Sequence, residues 1–289
     1  MSIYDVFKDG HSSSSFDKEA WVAQKQEQRK AAYELIDNTC TEMSADGNQF
    51  KQYLNVQAEF DRYSVANAVL VSAQLPEATQ LKEYKKWKEN RVYVNKDADK
   101  ITILEPGKEY TREDGTTATS FNAKDVYDIS QTSARVKTSD AKPKSMRDLV
   151  SALIDASPVP IQPVDSMEVP AFYDSSQEII FVRTDLSEGQ LFASTSKEVA
   201  AAIYDFKHNK SREDTDFKSY CVAYMLGSKY GVDTKGFSFD KLPEQITGLD
   251  PKDLRSELGS IRDVFGEVNS EMYKGLEKNT PVRSKEQER

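Results

Sequence analysis

The sequence predicts an α+β fold, in which helices and a small antiparallel sheet precede further helices and a β-hairpin. Apolar residues recur at helical spacing at both ends of the chain, and segments rich in Val, Ile, Tyr and Thr lie between them. A length of 289 residues is enough for two domains. The Ser/Thr/Lys-rich stretch 131–144 is the predicted linker between a first domain over 1–140 and a second over 145–289.

The first half begins with helices and ends with strands. A long amphipathic helix is predicted over 16–46, where apolar residues recur at near-helical spacing. Three more helices are predicted after it: one over 49–63, an apolar one over 64–74 that Pro76 ends, and a short basic one over 78–91. Strands fill 91–130, and Asp114-Gly115 is typical of a hairpin turn.

The sequence of the second half predicts four or five helices and one β-hairpin. Its predicted elements are a helix over 145–157, a hairpin over 169–183 that turns at 174–177, a long helix over 186–209, a helix over 216–231 ended by Gly231, and one or two helices over 250–279.

Composition excludes several classes of protein. The net charge of −9 weighs against a generic nucleic-acid binder, although it allows a local basic groove. The chain has two histidines and two cysteines, so a multi-histidine metal site and a disulfide framework are both disfavoured. No membrane span and no secretory signal are predicted, and we expect a cytoplasmic protein without a cofactor.

Two stretches resemble a known family. Residues 62–94, 101–106 and 121–132 contain Tyr63-Ser64, Asn67, Gln74-x-Pro76 and a basic helix with Tyr84 and Trp87, in that order. They resemble the single-stranded-DNA-binding domain of ArdC-type antirestriction proteins and LtrC-like proteins of conjugative elements. Residues 171–202 and 219–234 resemble the zincin-like metallopeptidase domain that follows in those families. The resemblance implies a single-stranded-DNA-binding protein of a mobile element.

The resemblance also implies that the peptidase site is degenerate. Zincins carry His-Glu-x-x-His on one helix, because residues i and i+4 share a face and bind one Zn²⁺. The matching positions here are Lys197, Glu198 and Ala201, and Tyr220 lies where the family supplies an acidic ligand. We therefore expect no metal and no peptidase activity, with Glu198 as a vestige of the general base. Interpreted without the family, Glu198 is a solvated or salt-bridged residue on an amphipathic core helix.

The basic helix allows two interpretations. Cationic side chains can follow phosphates while aromatic rings stack on bases, which would make this region a DNA-binding site. Tyr84 and Trp87, at i and i+3, could instead form an apolar face that packs on the core. The predicted DNA-binding residues are Tyr63, Asn67, Lys82, Tyr84, Lys85, Lys86, Trp87, Lys88, Arg91 and Lys96.

Two further functions remain open at this point. The inactive cleft could bind a protein partner, with an extended peptide adding to the strand at 178–182. The least favoured alternative is a working peptidase with unusual ligands, for which Asp205 and His208 lie at i and i+3 on one helix.

Overall fold

The computed structural model describes residues 17–112, 114–134 and 144–278. Most of the predicted linker, residues 135–143, lies outside this part of the chain. The α+β prediction is confirmed. The helices and strands, in chain order, are α1 (Lys18–Met43), α2 (Gly47–Glu59), α3 (Val65–Gln74), β1 (Leu81–Lys82), α4 (Tyr84–Glu89), β2 (Ile101–Thr111), β3 (Thr117–Asp128), α5 (Met146–Ala156), β4 (Ile161–Val164), β5 (Ala171–Asp174), β6 (Ile179–Arg183), α6 (Glu188–His208), α7 (Arg212–Tyr230) and α8 (Pro251–Lys278).

Side-chain caps explain where several helices begin and end. The carboxylate of Asp17 accepts from the backbone N–H groups of Glu19 and Ala20 in the first turn of α1. The Ser64 hydroxyl accepts from the Asn67 N–H at the start of α3. Helix α7 ends at Gly231, as the sequence predicts, because its φ of 69° is left-handed and favours glycine. Helix α8 is one continuous helix, the simpler of the two predicted arrangements.

The first sheet has the strand order β1-β3-β2 and is antiparallel throughout. Its hairpin turns at the predicted Asp114-Gly115, where Gly115 has a φ of 82°. The basic helix predicted over 78–91 was too long: Leu81 and Lys82 instead pair with the end of β3 as strand β1.

Two amides of α3 cover the free edge of β2. The Asn67 amide donates to the Leu104 carbonyl and accepts from the Leu104 N–H, each at 2.8 Å. Gln74 makes the same pair of bonds with Thr102, at 2.9 and 2.8 Å. Thr102 and Leu104 are two residues apart, so the backbone N–H and C=O groups of both point to the same side of β2. That side faces α3 and not β3. Both amides therefore act as structural clamps.

The second sheet has the order β4-β6-β5, with β4 parallel and β5 antiparallel to β6. The predicted hairpin is confirmed, and Glu178 closes its turn with a φ of 55°. Strand β4 was not predicted. Strand β6 is central, so its backbone is already paired on both sides along 180–182. The expectation that a peptide could add to this strand was therefore wrong.

One hydrophobic core extends through both halves of the chain. Helix α2 packs on α7, where the Tyr224 hydroxyl donates to Asn55 Oδ1 at 2.7 Å. Phe50 of α2 is fully buried in a group of aromatic rings with Phe217 and Phe239. Helix α8 contacts α1, α5, α6 and α7. In the described part of the chain, no helix is long and apolar enough to span a bilayer.

Candidate nucleic-acid groove and peptidase-like cleft

Glu198 of α6 is buried and fully engaged. Its side chain is 4% exposed and forms a bidentate ion pair with Arg212, with N–O distances of 2.7 and 2.9 Å. The backbone N–H of Tyr173 donates to Glu198 Oε2 at 2.8 Å. The hydrogen bonds to Glu198 raise the pKa of the Arg212 guanidinium. Glu198 therefore joins α6 to α7 and β5. Of the two alternatives given without the family, the salt-bridged one is correct, although the residue is buried and not at the surface.

Lys197 pairs with an acid on the next helix. Its ammonium lies 2.7 Å from Asp216 Oδ1, and Arg212 approaches the same carboxylate oxygen at 3.9 Å. Asp216 lies one turn after Arg212, and Tyr220 one turn later, so the three share a face of α7. This i, i+4, i+8 spacing was the signal in the sequence that could have identified Arg212 and Asp216.

The donor set at this position does not fit a divalent cation. Zinc needs neutral imidazole, thiolate or free carboxylate ligands, and an ammonium group repels it. Ala201 is buried and offers no ligand, and the Tyr220 hydroxyl accepts from the Ser238 N–H at 2.7 Å. Among the described residues, no group of three or more His, Cys, Asp or Glu could hold a metal ion. Asp205, of the alternative ligand pair, accepts from the Tyr173 hydroxyl at 2.9 Å.

A cleft of about 520 Å³ lies over this face of α6. Lys197 and Tyr220 lie in it beside the small residues Gly189 and Ala193 and the ring of Phe237. The neighbouring β5 offers little edge for strand addition, since the Tyr173 N–H already donates to Glu198. The cleft is therefore open to a ligand but does not present a free strand at this point.

In the first half, Trp87 is structural. It is 2% exposed, and its Nε1–H donates to the Tyr127 carbonyl at 2.9 Å. The Lys82 ammonium covers the ring at 4.6 Å from its centre. No face of the indole is left for a base, so the core-packing interpretation of Trp87 is the correct one. Tyr84, on the same helix, is 55% exposed.

The other predicted DNA-binding residues divide into three groups. Asn67 has both amide atoms bonded to Leu104, so the structure corrects its predicted role to that of a clamp. Three of the residues line a common groove: Tyr63, Lys82 and Lys86. The remainder are exposed but lie outside it: Tyr84, Lys85, Lys88, Arg91 and Lys96.

This groove runs across one face of the first sheet and joins two cavities. One cavity, of about 610 Å³, lies between α1 and the sheet. The other, of about 450 Å³, lies between the sheet and α4. Both cavities are lined by Glu83, Glu105 and Lys124, which we call the central triplet. The Lys124 ammonium lies 2.8 Å from Glu83 Oε1 and 2.5 Å from Glu105 Oε2.

The first turns of α1 form one wall of the groove. Trp21, Lys25 and Arg29 lie at i, i+4 and i+8, so they share one face of the helix, and all three line the larger cavity. Trp21 is 47% exposed. Sequence reasoning assigned these residues only to an amphipathic helix, because it could not show that this face of α1 lies opposite the sheet.

Two crystal structures of the antirestriction protein ArdC from the R388 plasmid resemble this chain. The Mn(II)-bound structure matches at a TM-score of 0.53 and 15% identity, over 73% of this chain and 85% of that one. The metal-free structure gives a TM-score of 0.48 and 14% identity, over 73% and 86%. This chain has the ArdC fold. No protein-family model and no curated protein matches the sequence.

The shared fold confirms the structural side of the sequence resemblance to ArdC. One of the ArdC structures contains Mn(II). In this chain, ion pairs join Lys197 to Asp216 and Arg212 to Glu198, and both carboxylates are thereby occupied. The fold of ArdC is therefore retained around a cluster that does not suit a metal ion.

Proposed function

We propose that this protein binds single-stranded DNA in the groove over the first sheet and serves a mobile element as an antirestriction protein. The fold that this chain shares with the antirestriction protein ArdC supports the antirestriction role. The observation that carries the proposal is the row of Trp21, Lys25 and Arg29 facing the sheet across an open groove. An aromatic ring can stack on a base while the two cations contact phosphates on either side.

The charge distribution supports binding in this groove. The chain has a net charge of −9, yet cations occur at both ends of the groove, Lys25 and Arg29 at one and Lys82 and Lys86 at the other. The acidic remainder of the surface repels phosphates and confines DNA to this face.

We further propose that the second half has no peptidase activity. The carboxylate of Glu198 is held by Arg212 and by a backbone N–H, so it is not placed to activate a water. Lys197 supplies an ammonium where the zincin pattern has a histidine ligand. The cleft then serves as a scaffold or as a surface for a protein partner.

The DNA proposal is tested by fluorescence anisotropy of a labelled single-stranded oligonucleotide at several salt concentrations. The double variant Lys25→Ala/Arg29→Ala should bind more weakly and lower the slope of log affinity against log salt by roughly 0.7 for each lost phosphate contact. The matched control is Lys30→Ala/Lys241→Ala, which removes two exposed cations that lie outside the groove. Equal losses for both variants, or no binding by the wild type at low salt, would overturn the proposal.

A second candidate function is capture of a protein partner in the zincin-like cleft. Its open volume of about 520 Å³ favours a ligand with a carboxylate that contacts the 27% exposed Lys197 ammonium beside its pairing with Asp216. Retention of an immobilised acidic peptide by the wild type, lost on Lys197→Met and independent of DNA, would support this function. Retention unchanged by Lys197→Met would contradict it.

A further inference from the structure

The centre of the groove carries carboxylates where a simple phosphate channel would carry only cations. Glu83 and Glu105 line both cavities and hold Lys124 between them. The side chains of Glu83 and Glu105 are 35% and 43% exposed, so both remain accessible from the groove. Hydrogen bonding to both acids raises the pKa of Lys124, and the same contact lowers the pKa of Glu83. Both shifts favour the charged forms of Lys124 and Glu83, so this ion pair persists near neutral pH.

The position of these charges constrains how a strand can lie. Phosphates are attracted to the cations at the two ends. These are Lys25 and Arg29 on α1 at one end, and Lys82 on β1 and Lys86 on α4 at the other. Two carboxylates and one ammonium leave the centre net negative, which repels phosphates there. A bound strand satisfies both conditions when its backbone follows the ends and its bases turn toward the central triplet.

The triplet presents hydrogen-bond acceptors flanking a donor. Ionised carboxylates only accept, and the Lys124 ammonium only donates. Cytosine and adenine each offer an exocyclic amino group beside a ring nitrogen acceptor, which matches one carboxylate next to the ammonium. Thymine has no amino group, and its single imino N–H lies between two carbonyl oxygens that a carboxylate repels.

We infer that the central triplet gives the groove a preference for bases that carry an exocyclic amino group over thymine. This inference rests on the proposed function, since it requires single-stranded DNA in the groove. A base-specific contact of this kind discriminates by about tenfold or more. Glu105 and Glu83 are then specificity-determining residues, whereas Lys25 and Arg29 set affinity for every sequence.

The test compares labelled oligonucleotides of equal length made only of dC, only of dA or only of dT. Wild-type protein should bind dC and dA about tenfold more tightly than dT. Glu105→Met removes the acceptor and a negative charge, so affinity for dT should rise and the preference should fall below about threefold. Glu109→Met is the matched control, because Glu109 lies on the same strand outside the groove.

The possible failures of the two proposals are distinguishable. Equal affinity of the wild type for dC and dT would overturn the base preference while leaving DNA binding intact. A preference that survives Glu105→Met and Glu83→Met together would also overturn it. Absence of binding to all three oligonucleotides would overturn the proposed function itself.

Discussion

At the scale of single residues, the cluster on α6 and α7 balances its own charges. Two carboxylates, Glu198 and Asp216, meet two cations, Lys197 and Arg212. The ring centre of Phe172 lies 5.0 Å from the guanidinium carbon of Arg212, in cation–π contact. A buried carboxylate without such a partner would cost several kcal/mol, so the pairing makes Glu198 tolerable in the core.

Glu198→Ala should lower the free energy of unfolding by about 3 kcal/mol, because it leaves Arg212 and the Tyr173 N–H without their acceptor. Urea unfolding followed by circular dichroism measures the change. Glu244→Ala, an exposed glutamate of the same half, should change it by less than about 0.5 kcal/mol. A loss for Glu198→Ala as small as that of the control would show that the ion pair is not a structural contact.

Substitutions of Trp87 test whether the residue contributes to stability or to DNA binding. Trp87→Ala should cost about 3 kcal/mol or more by removing a buried ring, whereas Trp87→Phe keeps most of the packing and loses only the bond to Tyr127. Trp87→Phe should therefore leave DNA affinity within about twofold of wild type, since a structural ring makes no base contact. Anisotropy titration measures this, and a large loss for Trp87→Phe at normal stability would restore the stacking interpretation.

At the scale of elements, the sequence was informative wherever local pattern decides structure. The helices with clear caps and apolar spacing, such as α3 and α5, were predicted close to their observed bounds. The short strands β1 and β4 were missed because each depends on pairing with a strand elsewhere in the chain. The two residues of β1 fit the helical pattern of the segment that follows them, and only their pairing with β3 makes them a strand.

In the candidate sites, too, residues whose role depends on local sequence were predicted, and residues whose role depends on tertiary contacts were missed. Lys197, Glu198 and Ala201 were identified because their spacing is local to one helix. Arg212 and Asp216 were missed because their role depends on α7 lying against α6, and Trp21 because its role depends on α1 lying over the sheet. The sequence left open whether Trp87 stacks on bases or packs on the core, and its burial shows that it packs on the core.

Asp128 joins the end of β3 to the segment before β1. Its carboxylate accepts from the backbone N–H groups of Thr79, Gln80 and Ser130 at 2.7 to 2.8 Å. Burial acts to raise the pKa of Asp128, but these hydrogen bonds hold it below its usual value. The ionised carboxylate therefore stabilises the fold above about pH 4, and this contribution is lost as the pH falls through the lowered pKa.

Asp128→Asn should accordingly cost about 2 kcal/mol at pH 7, since it removes charge-assisted hydrogen bonds. The difference from wild type should shrink toward about pH 2, where the wild-type carboxyl is also protonated. Urea unfolding at both pH values measures it, with exposed Asp97→Asn as the control. A difference that stays constant across this range would contradict the role of the ionised carboxylate.

At the scale of the whole molecule, the two halves should unfold together. Helix α2 contributes Phe50 and Asn55 to an interface with α7, and Gly47 lies against the Phe239 backbone so closely that an added Cβ would be 1.6 Å from the carbonyl oxygen. The predicted division into domains over 1–140 and 145–289 remains a prediction, but these contacts cross it. Separate unfolding would require breaking one continuous core.

Gly47→Ala should push α2 away from Phe239 and cost about 2 kcal/mol or more. Calorimetry should show a single unfolding transition in the wild type, and a single transition at a lower midpoint temperature in the variant. Gly259→Ala, on α8 with open space around it, should be neutral or slightly stabilising. Two separate transitions, of which Gly47→Ala shifts only one, would show that the halves unfold independently.

The amide clamps of α3 have a consequence for behaviour at high concentration. A sheet edge with unpaired N–H and C=O groups is a template on which another chain can pair, and this is a common start of aggregation. Asn67 and Gln74 engage those groups at Leu104 and Thr102. A strand of a neighbouring molecule therefore cannot pair with β2 along this stretch. The face of the sheet can stay open as the floor of the groove while its edge does not promote aggregation.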